Sequence, residues 1–160
     1  MPPRPADPPA DASGLVEIVG AAHVLDDPSS TAGFVTDWTG RYGGARATVV
    51  RPASTAEGAA VVRWAAARRT AVVPQGGNTG LVGGSVPGAD GALLLSTVRL
   101  DEIHDVDLLG GAVTVGAGVT PTALAERLDG TGWRFAVDLG SRGSATFGGM
   151  IDTTGPLPDW

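Results

Sequence analysis

Cysteine is absent from the 160 residues, which excludes disulfides, thiol catalysis and thiolate metal sites together. Only two histidines occur, His23 and His104, too few for a histidine-rich metal centre. Aromatic side chains make up 5% of the chain, so a core must be filled mainly by Ala, Val and Leu. Basic charge is scarce as well. Eleven Lys and Arg stand against seventeen Asp and Glu, a net charge of −6, and they cluster no further than the pair Arg68-Arg69. Binding to a phosphate backbone needs a concentrated basic face, so no nucleic-acid partner is expected. No run approaches the ~18 apolar residues of a membrane span. The first fourteen residues lack an apolar segment, so no signal peptide is read there, and one Arg does not make a transit peptide. A cytoplasmic location is the default expectation.

What is present reads as one globular domain with tails. Hydrophobic residues make up 42% of the chain, enough for a real core at this length. Residues 1–14 carry five prolines and read as a disordered or polyproline-like tail. Residues 15–151 form the domain, and 152–160 a divergent C-terminal tail.

Leu15 to Gly20 reads as a short helix ending at Gly20, and Asp26-Asp27-Pro28-Ser29 as a turn. Phe34 to Tyr42 is irregular, with its aromatics expected as packing anchors. Ala47-Thr48-Val49-Val50-Arg51-Pro52 is a β-branched run closed by proline, hence a strand. Ser54-Thr55-Ala56-Glu57 is a capping box. It opens a helix to about Arg69, whose apolar stripe is Val61, Val62, Ala65 and Ala66. Ala71 to Pro74 is a second strand, which completes a βαβ unit with a right-handed crossover. Ala92 to Ser96 reads as a buried strand. Ile103 to Asp107 and Ala112 to Gly116 alternate polar with apolar residues and form a hairpin, with His104 as a solvated surface histidine. Thr120 as N-cap and Pro121 at the first helical position start another helix, with stripe Leu124, Ala125 and Leu128 and a stop at Gly130. Gly116-Ala117-Gly118-Val119 imitates a dinucleotide fingerprint but lacks its third glycine and its acidic partner, so no Rossmann site is assigned.

Chemistry concentrates in two small-residue stretches. Pro74-Gln75-Gly76-Gly77-Asn78-Thr79-Gly80-Leu81-Val82-Gly83-Gly84-Ser85 holds five glycines in twelve residues and leaves the end of a strand, where open α/β sheets bind ligands. Glycine reaches positive φ without steric penalty, so such a run lets backbone N–H groups curl inward together. Inward N–H groups make a concave anion site suited to a phosphate or pyrophosphate. A flexible glycine-rich surface loop is the competing reading. The second stretch, Val137 to Ile151, follows another apolar approach. Two such loops without an evident acid, base or nucleophile suit an extended ligand bound through its pyrophosphate, although spacing alone leaves a structural turn open at the second.

These loops resemble those of PCMH-type FAD-binding domains, the vanillyl-alcohol-oxidase fold, in the branch of FAD-linked oxidases, D-lactate dehydrogenase and D-2-hydroxyglutarate dehydrogenase. The resemblance is carried by Val49-Val50-Arg51-Pro52 with Ser54-Thr55, by Val73 to Gly84, and by Asp138-Leu139-Gly140-Ser141-Arg142-Gly143-Ser144-Ala145-Thr146-Phe147-Gly148-Gly149. Asp37-Trp38-Thr39-Gly40-Arg41-Tyr42 also fits the branch. The fold it implies is α+β, a small βαβ subdomain followed by a mixed or antiparallel sheet with flanking helices, incomplete at the C-terminus.

By the same resemblance Gly76, Gly77, Asn78, Thr79 and Gly80 would wrap the FAD pyrophosphate, with Pro74, Gln75, Gly84 and Ser85 in the same loop. Asp138, Leu139, Gly140, Ser144, Thr146, Gly148 and Gly149 would line the flavin and ribityl side. Covalent members of the superfamily carry a histidine where this chain has Asn78, so attachment is expected to be non-covalent. The chain departs from the family after Gly149, and the substrate domain with its catalytic residues is not in it. The implied function is that of an FAD-dependent 2-hydroxy-acid dehydrogenase or oxidase of the D-lactate, glycolate or D-2-hydroxyglutarate class, present as an N-terminal fragment without catalytic or metal-binding residues and inactive alone. A flavin site missing one wall should bind FAD weakly or not at all. Two other readings stay open: a non-catalytic flavin- or nucleotide-binding module, and one half of a split enzyme. Either would pair with another chain, a complementary one or a second copy.

Overall fold

The computed structural model describes residues 12–152. Helix α1 (Ser13–Val19) ends at Gly20, whose φ of 83° only glycine adopts freely. It takes in Ser13 and Gly14; the rest of the proline-rich segment, and the stretch after Asp152, lie outside the described residues. A short β1 (Val24–Leu25) follows. The Asp26–Ser29 turn is instead the start of a single-turn helix, α2 (Pro28–Thr31). Asp27 caps it, its Oδ1 accepting the Ser29 N–H at 2.6 Å, and Pro28 supplies a preset φ at the first position.

Strands β2 (Ala47–Val50), β3 (Val72–Gln75) and β4 (Ala92–Ser96) join β1 in the main sheet, and helix α3 (Thr55–Arg68) connects β2 to β3. Its order is β1-β2-β4-β3, so the βαβ unit exists but β4 inserts between its two strands. Both neighbours of β4 run parallel to it, while β1 pairs antiparallel with β2. All five residues of β4 are buried, as its apolar run and central position require. Edge position explains Pro74 inside β3: a strand with a neighbour on one side has a face where a missing N–H costs nothing.

Ser54 caps α3 as expected, accepting the Glu57 N–H at 3.2 Å. The Glu57 carboxylate turns back to the Ala53 N–H at 2.7 Å, one residue earlier than a standard capping box. The buried stripe is Val61, Trp64 and Ala65, whereas Val62 is 49% exposed and Ala66 is exposed too. Trp64 displaces the expected pair because i, i+3 and i+4 share one helix face and the largest apolar side chain gains most from burial. That stripe packs with Leu15, Val19, Val50, Leu93 and Leu95 into one core. Gly14 is there for contact, since a Cβ on it would strike the Trp64 indole.

The second core is built on a hairpin. Strands β5 (Ile103–Asp107) and β6 (Ala112–Val115) pair antiparallel, with a register shift between Ile103 and Val106. Helix α4 (Pro121–Leu128) packs over them through Leu124 and Leu128, joined by Val119 just before its N-cap. Its N-cap is Thr120, whose hydroxyl accepts the Ala123 N–H at 3.2 Å. Ala125 is exposed rather than part of the stripe, because it lines an open groove of about 390 Å³ against Phe135 and Val137. His104 is a surface residue, 3.7 Å from Glu102. Phe135 meets Phe147 edge to face at 5.0 Å, which ties the last helix, α5 (Phe147–Asp152), to this core.

Two of the three aromatics of the 34–42 segment are not buried anchors: Trp38 is 76% and Tyr42 47% exposed, while Phe34 is half-buried. Hydrogen bonds hold that segment instead. Leu94, fully buried at the sheet centre, should cost about 2–5 kcal/mol when cut to Ala. Val62→Ala should stay within about 0.5 kcal/mol. Urea unfolding of both variants checks the pair.

Candidate functional site

The glycine loop leaves β3 at Gln75 and runs to Ser85, and its glycines do a different job from the one their composition suggests. Among its non-terminal positions, only Asn78 (φ 52°) and Gly83 (φ 74°) are left-handed. Asparagine is among the few non-glycine residues that tolerate that region. Gly76 and Gly77 serve close approach: a Cβ on Gly77 would overlap the Ser144 carbonyl, and one on Gly76 would overlap the Thr146 hydroxyl. So the two loops separated by some seventy residues touch backbone to backbone. Gly149 stands beside the same hydroxyl, which a Cβ there would approach to 3.6 Å.

The second loop is itself pinned from behind. The Phe147 N–H donates to the Val119 carbonyl and the Gly148 N–H to that of Ala117, each at 2.9 Å. Gly148 must be glycine because a Cβ would sit 2.8 Å from the Ala117 Cβ. Gly116 and Gly118, which imitate a dinucleotide motif, press against the carbonyls of Leu100 and Thr97. Their role is chain packing.

A third segment, from Gly33 to Tyr42, joins the glycine loop, although its aromatics are expected from the sequence only as packing anchors. The Gln75 amide, buried, donates to the carbonyls of Phe34 and Ser85 at 2.8 Å each. The Asn78 amide donates to the carbonyls of Gly33 and Thr36 at 3.2 and 2.8 Å, and its Oδ1 accepts the Ser85 hydroxyl at 2.8 Å. Asparagine thus clasps the loop at both ends. Tyr42 lies against Gly83, where a Cβ would come within 2.5 Å of its ring.

Asp37 organises this strap. Its carboxylate, 5% exposed, accepts the Thr39 hydroxyl at 2.8 and 3.0 Å and the N–H groups of Arg41 and Tyr42 at 3.1 and 3.2 Å. Burial alone would raise its pKa, but hydrogen bonds from the Thr39 hydroxyl and the neighbouring N–H groups outweigh it, and the net shift is downward. The Asp-x-Thr-Gly spacing was the available signal, since short polar side chains cap their own turn.

Not every expected residue joins the contact. Pro74, Gly80 and Gly84 are exposed, Thr79 half-buried, and a Cβ on Gly80 or Gly84 would meet nothing within 4 Å. Asp138 pairs with Arg142 at 3.2 Å in the open. Leu139 accepts the Arg142 N–H in a turn, and a Cβ on Gly140 would also meet open space.

Two features of the meeting point call for a ligand. Thr146 is 3% exposed, yet its hydroxyl has no partner among the described residues. No backbone N–H from Gly76 to Ser85 donates to another described residue. Such a row of free donors beside an unpaired hydroxyl suits a polyanion. Residues 46–156 match the FAD binding domain family. The chain belongs to that family.

Relatives of this FAD-binding chain agree with the assignment. The probable mitochondrial D-2-hydroxyglutarate dehydrogenase of Oryza sativa subsp. indica is 38% identical over 143 residues, 89% of this chain and 25% of that protein. The chain therefore spans about a quarter of the length of the curated relatives it matches. Among solved structures, alkyldihydroxyacetonephosphate synthase superposes with a TM-score of 0.77 at 20% identity, covering 92% of this chain and 30% of that one. p-Cresol methylhydroxylase gives 0.64 at 15%, covering 73% and 23%. Both carry the fold, the PCMH-type arrangement of a mixed sheet, an antiparallel sheet and flanking helices. No helix among the described residues is long and apolar enough to cross a membrane.

Two outcomes test the site's construction. Gly77→Ala should cost about 1–3 kcal/mol by forcing the loops apart, whereas Gly80→Ala should stay within about 0.5 kcal/mol; thermal melts decide. The Asp37 anion stabilises the strap, so its contribution is complete above about pH 4 and is lost as pH falls through its lower folded-state value. Acid titration of the Arg41 and Tyr42 amide resonances should show this loosening, and Asp37→Asn should show it already at neutral pH.

Proposed function

We propose that the chain is the cofactor-binding part of an FAD-linked 2-hydroxy-acid dehydrogenase of the D-lactate, glycolate or D-2-hydroxyglutarate class. The observation that carries this is the contact of Gly76 and Gly77 with Ser144 and Thr146 beneath a row of unpaired loop N–H groups. On this reading the N–H groups of Gly76, Gly77, Asn78, Thr79 and Gly80 hold the pyrophosphate oxygens, and the Thr146 hydroxyl supplies one more donor. Gln75 and Asn78 do not bind the cofactor by their side chains. They position the loop, because their amides are already spent on Gly33, Phe34, Thr36 and Ser85. Ser144, Gly148 and Gly149 bring the second loop in by packing.

FAD, when bound, supplies the two-electron acceptor for oxidation of the hydroxy acid. The protein's share is binding, orientation and exclusion of water. Attachment is non-covalent, since Asn78 offers no nucleophile where covalent members place histidine, and its side chain is engaged at both ends.

A second reading, in which another chain completes the site, is favoured by exposed apolar side chains on both loops: Leu81 at 60%, Val82 at 81% and Ile151 at 86%. Sedimentation with FAD at rising protein concentration separates the two, a monomer throughout favouring a single-chain site.

Saturating FAD should raise the melting temperature, as any ligand specific to the folded state does. Acid precipitation should then leave all flavin in the supernatant; flavin in the pellet would contradict non-covalent attachment. Thr146→Val keeps the shape and removes the hydroxyl. It should leave the apo melting point unchanged or raised and weaken FAD binding about two- to tenfold, the value of one hydrogen bond.

A further inference from the structure

A second cluster of polar groups lies at the same end of the sheet, two strands away from the glycine loop. It is built where β2 and β4 end, around Arg51, Arg99 and His23. The Arg51 Nη2 donates to the Ala22 carbonyl at 3.0 Å and faces His23 Nδ1 at 3.3 Å. The Arg99 Nη1 donates to the Arg51 carbonyl at 2.7 Å. Backbone joins the same groups, the Arg51 N–H donating to the His23 carbonyl at 3.0 Å. All three side chains are half-buried.

The charge of this cluster is unbalanced. Neither arginine forms an ion pair with a carboxylate among the described residues, whose ion pairs involve His104, Arg127 and Arg142. The Arg51 Nε–H is buried without an acceptor. Glu57 acts on His23 through its charge, but its carboxylate turns to the Ala53 N–H. An arginine can only donate, so His23 Nδ1 must accept from it. The imidazole is then neutral with its proton on Nε2, a further donor. Burial first, then the charges of Arg99 and Arg51, hold the His23 pKa below its ordinary value, against a smaller opposing pull from Glu57.

Two arginines linked through the Arg51 carbonyl, neither paired with a carboxylate among the described residues, in a chain of net charge −6, make a site for an anion. We propose that Arg51, Arg99 and His23 bind a small oxyanion of the phosphate class. Guanidinium forks match a tetrahedral oxyanion, and such charge-assisted bonds are the strong ones. The site is separate from the flavin loop. β2 and β3 each lie next to β4, which puts them roughly 10 Å apart.

The chain carries only two histidines, which makes the test clean. His23 reports on the cluster, and His104, exposed beside Glu102 on the hairpin, is the internal control. Proton NMR follows both imidazoles in the intact chain, without FAD, as inorganic phosphate is added. Potassium chloride at matched ionic strength serves as the reference. Phosphate should shift the His23 signals saturably and raise its titration midpoint, because the bound anion offsets the two arginine charges, while His104 stays with the chloride reference. Arg99→Gln should weaken the phosphate response about tenfold, the loss of one charge-assisted bond. No saturable shift of His23, or one that chloride reproduces or that His104 shares, overturns the site. The wild-type titration decides the matter even if the variant fails to fold.

Discussion

Gly76 and Gly77 press their bare Cα atoms against the Ser144 carbonyl and the Thr146 hydroxyl, and the remaining geometry follows from that contact. It joins a loop grown from the parallel sheet to one grown from the hairpin core. A Cβ at either position would overlap the second loop, so the constraint is steric: the loops must shift before even a methyl group fits. The N–H groups from Gly76 to Ser85 are unpaired among the described residues. Free donors gathered along one loop in this way are what a ligand can satisfy.

The scaffold behind the contact is conventional in its physics. A buried apolar strand, β4, is held between two parallel neighbours and packed under Trp64, Val61 and Leu15. A capped helix covers a hairpin through Leu124 and Leu128. What is particular is the strap from Gly33 to Tyr42. It has no regular structure of its own and depends on the Asp37 carboxylate and on two side-chain amides from the glycine loop.

Local signals in the sequence were read well where chemistry is local. Ser54, Thr120 and Gly20 mark helix ends because a hydroxyl or a missing Cβ acts on its own turn. The β-branched and leucine runs mark strands for the same reason. Long-range facts were not legible. Strand order is one, since nothing in Val72–Gln75 says that β4 will come between it and β2. The loss of Val62 and Ala66 from the buried stripe is another, decided by where Trp64 lands. The glycine loop is legible as a candidate site, but the reason assigned to its glycines holds only in part. Positive φ falls to Asn78 and Gly83, while Gly76 and Gly77 are small because another loop arrives there. The side-chain amides of Gln75 and Asn78 act as clasps, a role that is not legible locally because it depends on carbonyls some forty residues upstream.

If the proposed function holds, the row of unpaired loop N–H groups is the seat of the FAD pyrophosphate. Amide hydrogen exchange resolved to single residues, with and without excess FAD, addresses that directly. Protection gained from Gly76 to Gly80, with Leu109 at the far hairpin tip unchanged, is the expected result. Exchange in the loop that FAD leaves untouched, or protection confined to residues outside both loops, would contradict it.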